Sequence, residues 1–76
     1  MKVGDIVYNV SSVRTNRAVW RENQEISPGH LGVVLDVRPD SLNNPPLMDY
    51  VDVMLSVDGK AVRLGNHGAP SFRVVA

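Results

Sequence analysis

A chain of 76 residues, 43% of them hydrophobic, makes one globular domain at most, and a small one that buries only roughly 60% of its unfolded surface. The absence of cysteine excludes a disulfide framework and a thiolate metal site, so stability must come from apolar burial or from a partner. Eight basic residues balance eight acidic ones, which argues against a nucleic-acid domain, because such domains draw their affinity from neutralising phosphates.

The first predicted strand runs from Asp5 to Val10. Ile6, Tyr8 and Val10 alternate there with Asp5, Val7 and Asn9, an apolar face against a mixed one. Ser11 to Pro28 follows as a long connection of low apolar content. A short helical turn around Thr15 to Glu22 fits its composition, but the apolar spacing is too poor for a stable amphipathic helix. Connections of this length in small domains are functional or docked on something.

Pro28-Gly29 breaks the chain, and Leu31 to Val37 reads as a strand rich in β-branched residues. Gly32 inside it signals a bulge or a close backbone approach. From Arg38 to Asp49, Pro39, Asn43, Asn44, Pro45 and Pro46 exclude regular structure. The Asn44-Pro45-Pro46-Leu47 stretch is read as stiffening the loop rather than as a polyproline ligand.

Tyr50 to Val57 alternates cleanly: Val51, Val53, Leu55 and Val57 point one way, Asp52, Met54 and Ser56 the other. Asp58-Gly59 then predicts a type I′ hairpin turn into Lys60 to Leu64, since both central residues of that turn need positive φ. Gly65 to Pro70 reads as a turn-rich link, and Phe72 to Val75 as a short last strand. The expected fold is all-β, a single domain over residues 1–76: a five-stranded SH3-like barrel with Ser11–Pro28 in the position of the long RT loop.

Val3-Gly4-Asp5 with Val7, Gly29-x-Leu31-Gly32-Val33-Val34, Val51-x-Val53 before Asp58-Gly59-Lys60, and the closing Phe72-Arg73-Val74-Val75 resemble small SH3-like barrel proteins of tailed bacteriophages. The same skeleton is similar to KOW-type barrels of transcription and ribosomal proteins, and to the variable chain of ferredoxin–thioredoxin reductase. Departures are visible. The strand before the hairpin carries Met54-Leu55-Ser56 where the phage-type proteins often have an aromatic residue, and the chain is neutral where nucleic-acid-binding KOW barrels are basic. The reductase chain's loop set has no counterpart here. The resemblance implies a non-enzymatic assembly or protein-interaction module, a virion structural or accessory protein. Its alternatives are a KOW-like nucleic-acid-binding module and a non-catalytic subunit of an enzyme. It assigns no site residue.

Arg14, Arg17, Trp20 and Arg21 form the sharpest feature, because arginine beside tryptophan in a long loop is the composition of an interface hot spot. The same residues would cover the barrel mouth if Trp20 folded back. Asp36, Asp40, Asp49, Asp52 and Asp58 make the middle of the chain acidic against one Arg38, and such two-signed patches suit a protein partner or self-assembly. Nucleic-acid binding is expected to be weak at most. His30 and His67, with Asp36 or Asp49, match no metal-ligand spacing and read as turn histidines. Ser27, Ser56 and Ser71 lack an activating context, and Gly65-Asn66-His67-Gly68 lacks the helix or Lys-Ser/Thr pair of a phosphate loop. No catalytic residue, metal, cofactor or small-molecule substrate is therefore expected. No apolar run approaches the roughly 20 residues of a membrane helix, and the start lacks the apolar run of a signal peptide. The expected location is the cytoplasm of a host cell or the virion.

Overall fold

A computed structural model describes residues 1–15 and 25–75 of the chain. It is all-β. Among the described residues seven strands follow in order: β1 (Ile6–Asn9), β2 (Val13–Arg14), β3 (Glu25–Ile26), β4 (Leu31–Pro39), β5 (Asp49–Val57), β6 (Lys60–Gly68) and β7 (Phe72–Val74), with a 3-10 turn at Ala69–Ser71 before the last. Five of them make one antiparallel sheet in the order β6-β5-β4-β1-β7, while β2 and β3 pair as a separate two-stranded ribbon. Among the described residues β6 and β7 do not pair, so the five-stranded sheet is not closed into a barrel.

The core lies on one side of this sheet. Val51, Val53, Leu55 and Val57 all point into it, as the alternation of β5 predicts, and meet Val7, Val34, Leu64 and Phe72. The ribbon adds Val13 and Ile26 from within the long connection, so that segment doubles back on itself and docks two side chains in the core. Turn chemistry agrees at the hairpin. Asp58 (φ 51°) and Gly59 (φ 78°) both occupy the left-handed region that a type I′ turn requires, with Val57 paired to Lys60 across it. Gly32 is a close approach: a Cβ there would collide with the Met54 carbonyl oxygen.

Three expectations are overturned: the sheet is open where a closed barrel is expected, because its edge strands β6 and β7 do not pair among the described residues, and the readings of β1 and of Gly65–Gly68 change as well. The apolar set of β1 is the one left toward solvent, because Val7 and Asn9 turn inward while Ile6 is 49% exposed. Inversion is possible because Asn9, though fully buried, is satisfied by its surroundings. Its Nδ2 donates to the carbonyls of Ser11 (3.1 Å) and Ser27 (2.7 Å), and its Oδ1 accepts the N–H of His30 (2.8 Å). The Gly65–Gly68 stretch, expected as a link, continues β6 as strand. An extra residue is accommodated there as a bulge, with Asn66 at φ 57°. The expected helical turn falls largely on positions 16–24, outside the described residues.

Candidate functional site

Residues directly opposite in an antiparallel pair project to the same side of the sheet. On the side away from the core, Ile6 faces Val33, which faces Met54, which faces Arg63. One row over, Arg73 faces Tyr8, and Tyr8 faces Leu31. Val75 joins beside Ile6, whose carbonyl accepts its N–H at 2.8 Å. Ile6, Tyr8, Leu31, Val33, Met54 and Val75 therefore make a contiguous apolar surface with Arg73 at one margin and Arg63 at the other. Leu31 is 55% exposed and Val75 44%, so these are solvent-facing side chains and not the fringe of a core. A clustered apolar face of this kind marks an interaction site, where scattered single leucines would not.

Beyond Met54 the same side of the sheet changes from apolar to ionic. Both neighbours of β5 bulge around Asp52, β4 between Val34 and Asp36 and β6 at Gly65–Asn66. The distorted ladder frees the Asn66 N–H, which donates to Asp52 Oδ1 at 2.8 Å. Arg38 donates to both oxygens of Asp52, Nη2 at 2.7 Å and Nη1 at 3.1 Å, and its Nη1 also reaches Asp36 at 2.7 Å. Arg63 adds a contact to Asp52 at 3.2 Å. The Arg38 guanidinium first, with the Asn66 N–H behind it, holds the Asp52 carboxyl down at about 2 against burial that pushes the other way. Arg38 is in turn pushed further up by Asp52 and Asp36. Two cations and two anions balance, so the cluster carries no net charge.

The 40–48 loop is the second exposed apolar element. Asp40 is buried at its base and acts as its internal brace. It accepts the Asn43 side-chain amide at 2.7 Å, the Leu42 N–H at 3.0 Å and the Leu47 N–H at 3.3 Å. Asn43 first, then the Leu42 N–H, hold its carboxyl below the ordinary value. Braced this way, the loop presents Leu42 at 92% and Leu47 at 73% exposure. Beneath it lies a shallow cleft of about 200 Å³ lined by Arg38, Pro39, Asp40, Leu42, Tyr50 and Asn66, smaller than the roughly 300 Å³ at which ligand pockets begin.

Of the four residues singled out in the long connection, Arg14 lies in β2, exposed, with its carbonyl 2.7 Å from His67 Nε2. Arg17, Trp20 and Arg21 lie outside the described residues. The histidines turn to backbone. His30 Nδ1 is 2.9 Å from the Ser27 carbonyl, and His67 lies between the carbonyls of Arg14 and Gly65 with its ring edge-on to Phe72. Among the described residues no three His, Asp or Glu side chains gather as metal ligands, and no helix is long and apolar enough to cross a membrane. The outer apolar face escaped the sequence reading, although Ile6-Val7-Tyr8 carries its signal: three consecutive apolar residues in a strand put apolar groups on both sides. No protein-family model, curated protein or solved structure matches the chain.

Proposed function

We propose that this chain is a non-enzymatic protein-binding module of SH3-like architecture that serves in an assembly, in the manner of a virion structural or accessory protein. The observation that carries the reading is the outer sheet face, where Ile6, Leu31 and Val75 stand exposed in register beside Tyr8, Val33 and Met54. A chain this small gains nothing by wetting that surface, whereas a partner that covers it recovers the transfer free energy of the apolar area. The SH3-like reading is supported by the strand order, by the long connection between β1 and β4, and by the tight Asp58-Gly59 hairpin between β5 and β6. A protein partner is favoured over nucleic acid because the eight basic residues carry no excess over the eight acidic ones, and Arg38 and Arg63 are engaged by Asp52 and Asp36.

The test is Leu31→Asp. A charge placed in the middle of the apolar face should leave the melting curve close to that of the parent chain and abolish association with its protein partner, whether another protein or another copy. Unchanged association would remove the outer face from consideration.

A further inference from the structure

We infer that the partner of the outer face is a second copy of this chain, docked head to tail, with the Leu42–Leu47 tip of one copy seated on the Ile6–Leu31 face of the next. The inference rests on reading that face as a protein-binding surface and names its occupant.

Both surfaces are present on each copy and they are complementary. The face is apolar with a free cation at its margin: Arg73 is exposed and makes no ion pair among the described residues. The loop is apolar with a free anion at its foot: Asp49 is exposed and likewise has no ion pair among them. The chain carries no basic residue between Arg38 and Lys60, so the approaching loop offers nothing to repel Arg73. The loop also arrives in shape. Asp40 fixes Leu42, Asn43 and Leu47 through its own hydrogen bonds, and a recognition element ordered in advance loses little entropy on docking. That order contributes no apolar side chain to the core, since every residue from Ser41 to Asp49 is exposed. Stacking one outer face on another serves less well. It gives Arg73 no free carboxylate, because Asp36 and Asp52 are already held by Arg38 and Arg63.

Geometry then dictates the form of the assembly. Leu31 opens β4 and Pro39 leads into the loop, so tip and face are separated by about 25 Å of strand. When each copy docks on the next in the same head-to-tail sense, a pair leaves one tip and one face free. The contact then propagates into a ring or an open filament.

The experiment measures mass against concentration by sedimentation, with a melting curve for every variant. The parent chain should grow beyond dimer as concentration rises. Leu42→Asp combined with Leu47→Asp should be monomeric, and so should Leu31→Asp. An equal mixture of these two variants should form dimers and nothing larger, because each supplies the surface the other has lost. Should Leu31→Asp unfold, the charge exchange decides instead: Arg73→Glu weakens growth about tenfold, and adding Asp49→Arg in the same chain restores it. A parent chain that stays monomeric to about 1 mM, or stops at dimer, overturns head-to-tail docking. So does a mixture of the variants that fails to pair. If the parent is monomeric and Leu31→Asp still loses a different protein, only the self-docking falls. If Leu31→Asp changes no association of any kind, the binding face falls with it.

Discussion

Two buried polar side chains anchor the two ends of this sheet, and their environments contrast. Asn9 is neutral and fully buried, and its side-chain hydrogen bonds among the described residues go to backbone groups, at Ser11 and Ser27 of the long connection and at His30 just beyond it. Asp52 is charged and 7% exposed, and most of its partners are the long side chains of Arg38 and Arg63, whose heads reach water. The first arrangement is rigid and invisible to salt or pH. The second is adjustable, because a guanidinium that loses its carboxylate can turn to solvent, whereas a half-buried backbone N–H that loses its acceptor is fixed by the chain on either side. Asn9 therefore acts as a structural clamp on the base of the long connection, and Asp52 as an electrostatic seal where the apolar face ends.

That contrast can be broken by mutation. The largest effect is expected at Asn9→Ala, which removes the partner of the half-buried His30 N–H and one of the two groups that meet the Ser27 carbonyl. The loss should be about 3 kcal/mol, independent of salt, and accompanied by faster hydrogen exchange at His30 and Gly29. Chemical denaturation at two salt concentrations checks it, and a cost below that of Asp52→Ala would reverse the assignment of clamp and seal.

Asp52→Ala should cost less, about 2 kcal/mol, because water can solvate Arg38 and Arg63 once the carboxylate is gone. The acid limb of the stability curve separates the two sites next. The folded Asp52 carboxyl titrates at about 2 against 3.8 for the free group, so its contribution is complete above 3.8 and is lost as the pH falls toward 2. Melting temperatures measured across that window should drop in the parent chain and drop less in Asp52→Asn, while Asn9→Ala keeps the slope of the parent. The smallest effect is expected at Arg63→Ala, about 0.5 kcal/mol and vanishing in high salt, since that side chain is mostly exposed and contacts Asp52 only at 3.2 Å. A larger, salt-insensitive loss would mean that Arg63 is needed to exclude water from Asp52.

The sequence signals differ in the same way around the two sites. Arg38 stands out as the one basic residue among the aspartates of the middle segment, but nothing local selects Asp52 as its partner over Asp40 or Asp49. The choice is made by the bulges of β4 and β6, which turn both strands around that one position. Asn9 gives no warning at all. In an alternating strand it reads as the solvent side, and only the return of Ser27 and His30 alongside it makes its burial tolerable.

What the chain determines by itself is what depends on neighbours in sequence. Asp58 and Gly59 can take positive φ at little cost, so the hairpin follows from two adjacent residues. Val51, Val53, Leu55 and Val57 recur at the period of a strand, so the buried face of β5 is written in its own alternation. Tertiary structure alone decided which face of β1 turns inward, that Val13 and Ile26 meet as a ribbon, and that Gly65 and Asn66 remain strand. Each of those outcomes depends on hydrogen bonds or burial between residues distant in the chain. Backbone preference acts within one or two residues, whereas desolvation of a side chain is set by whatever folds against it, and for Ile6 and Leu31 nothing among the described residues does.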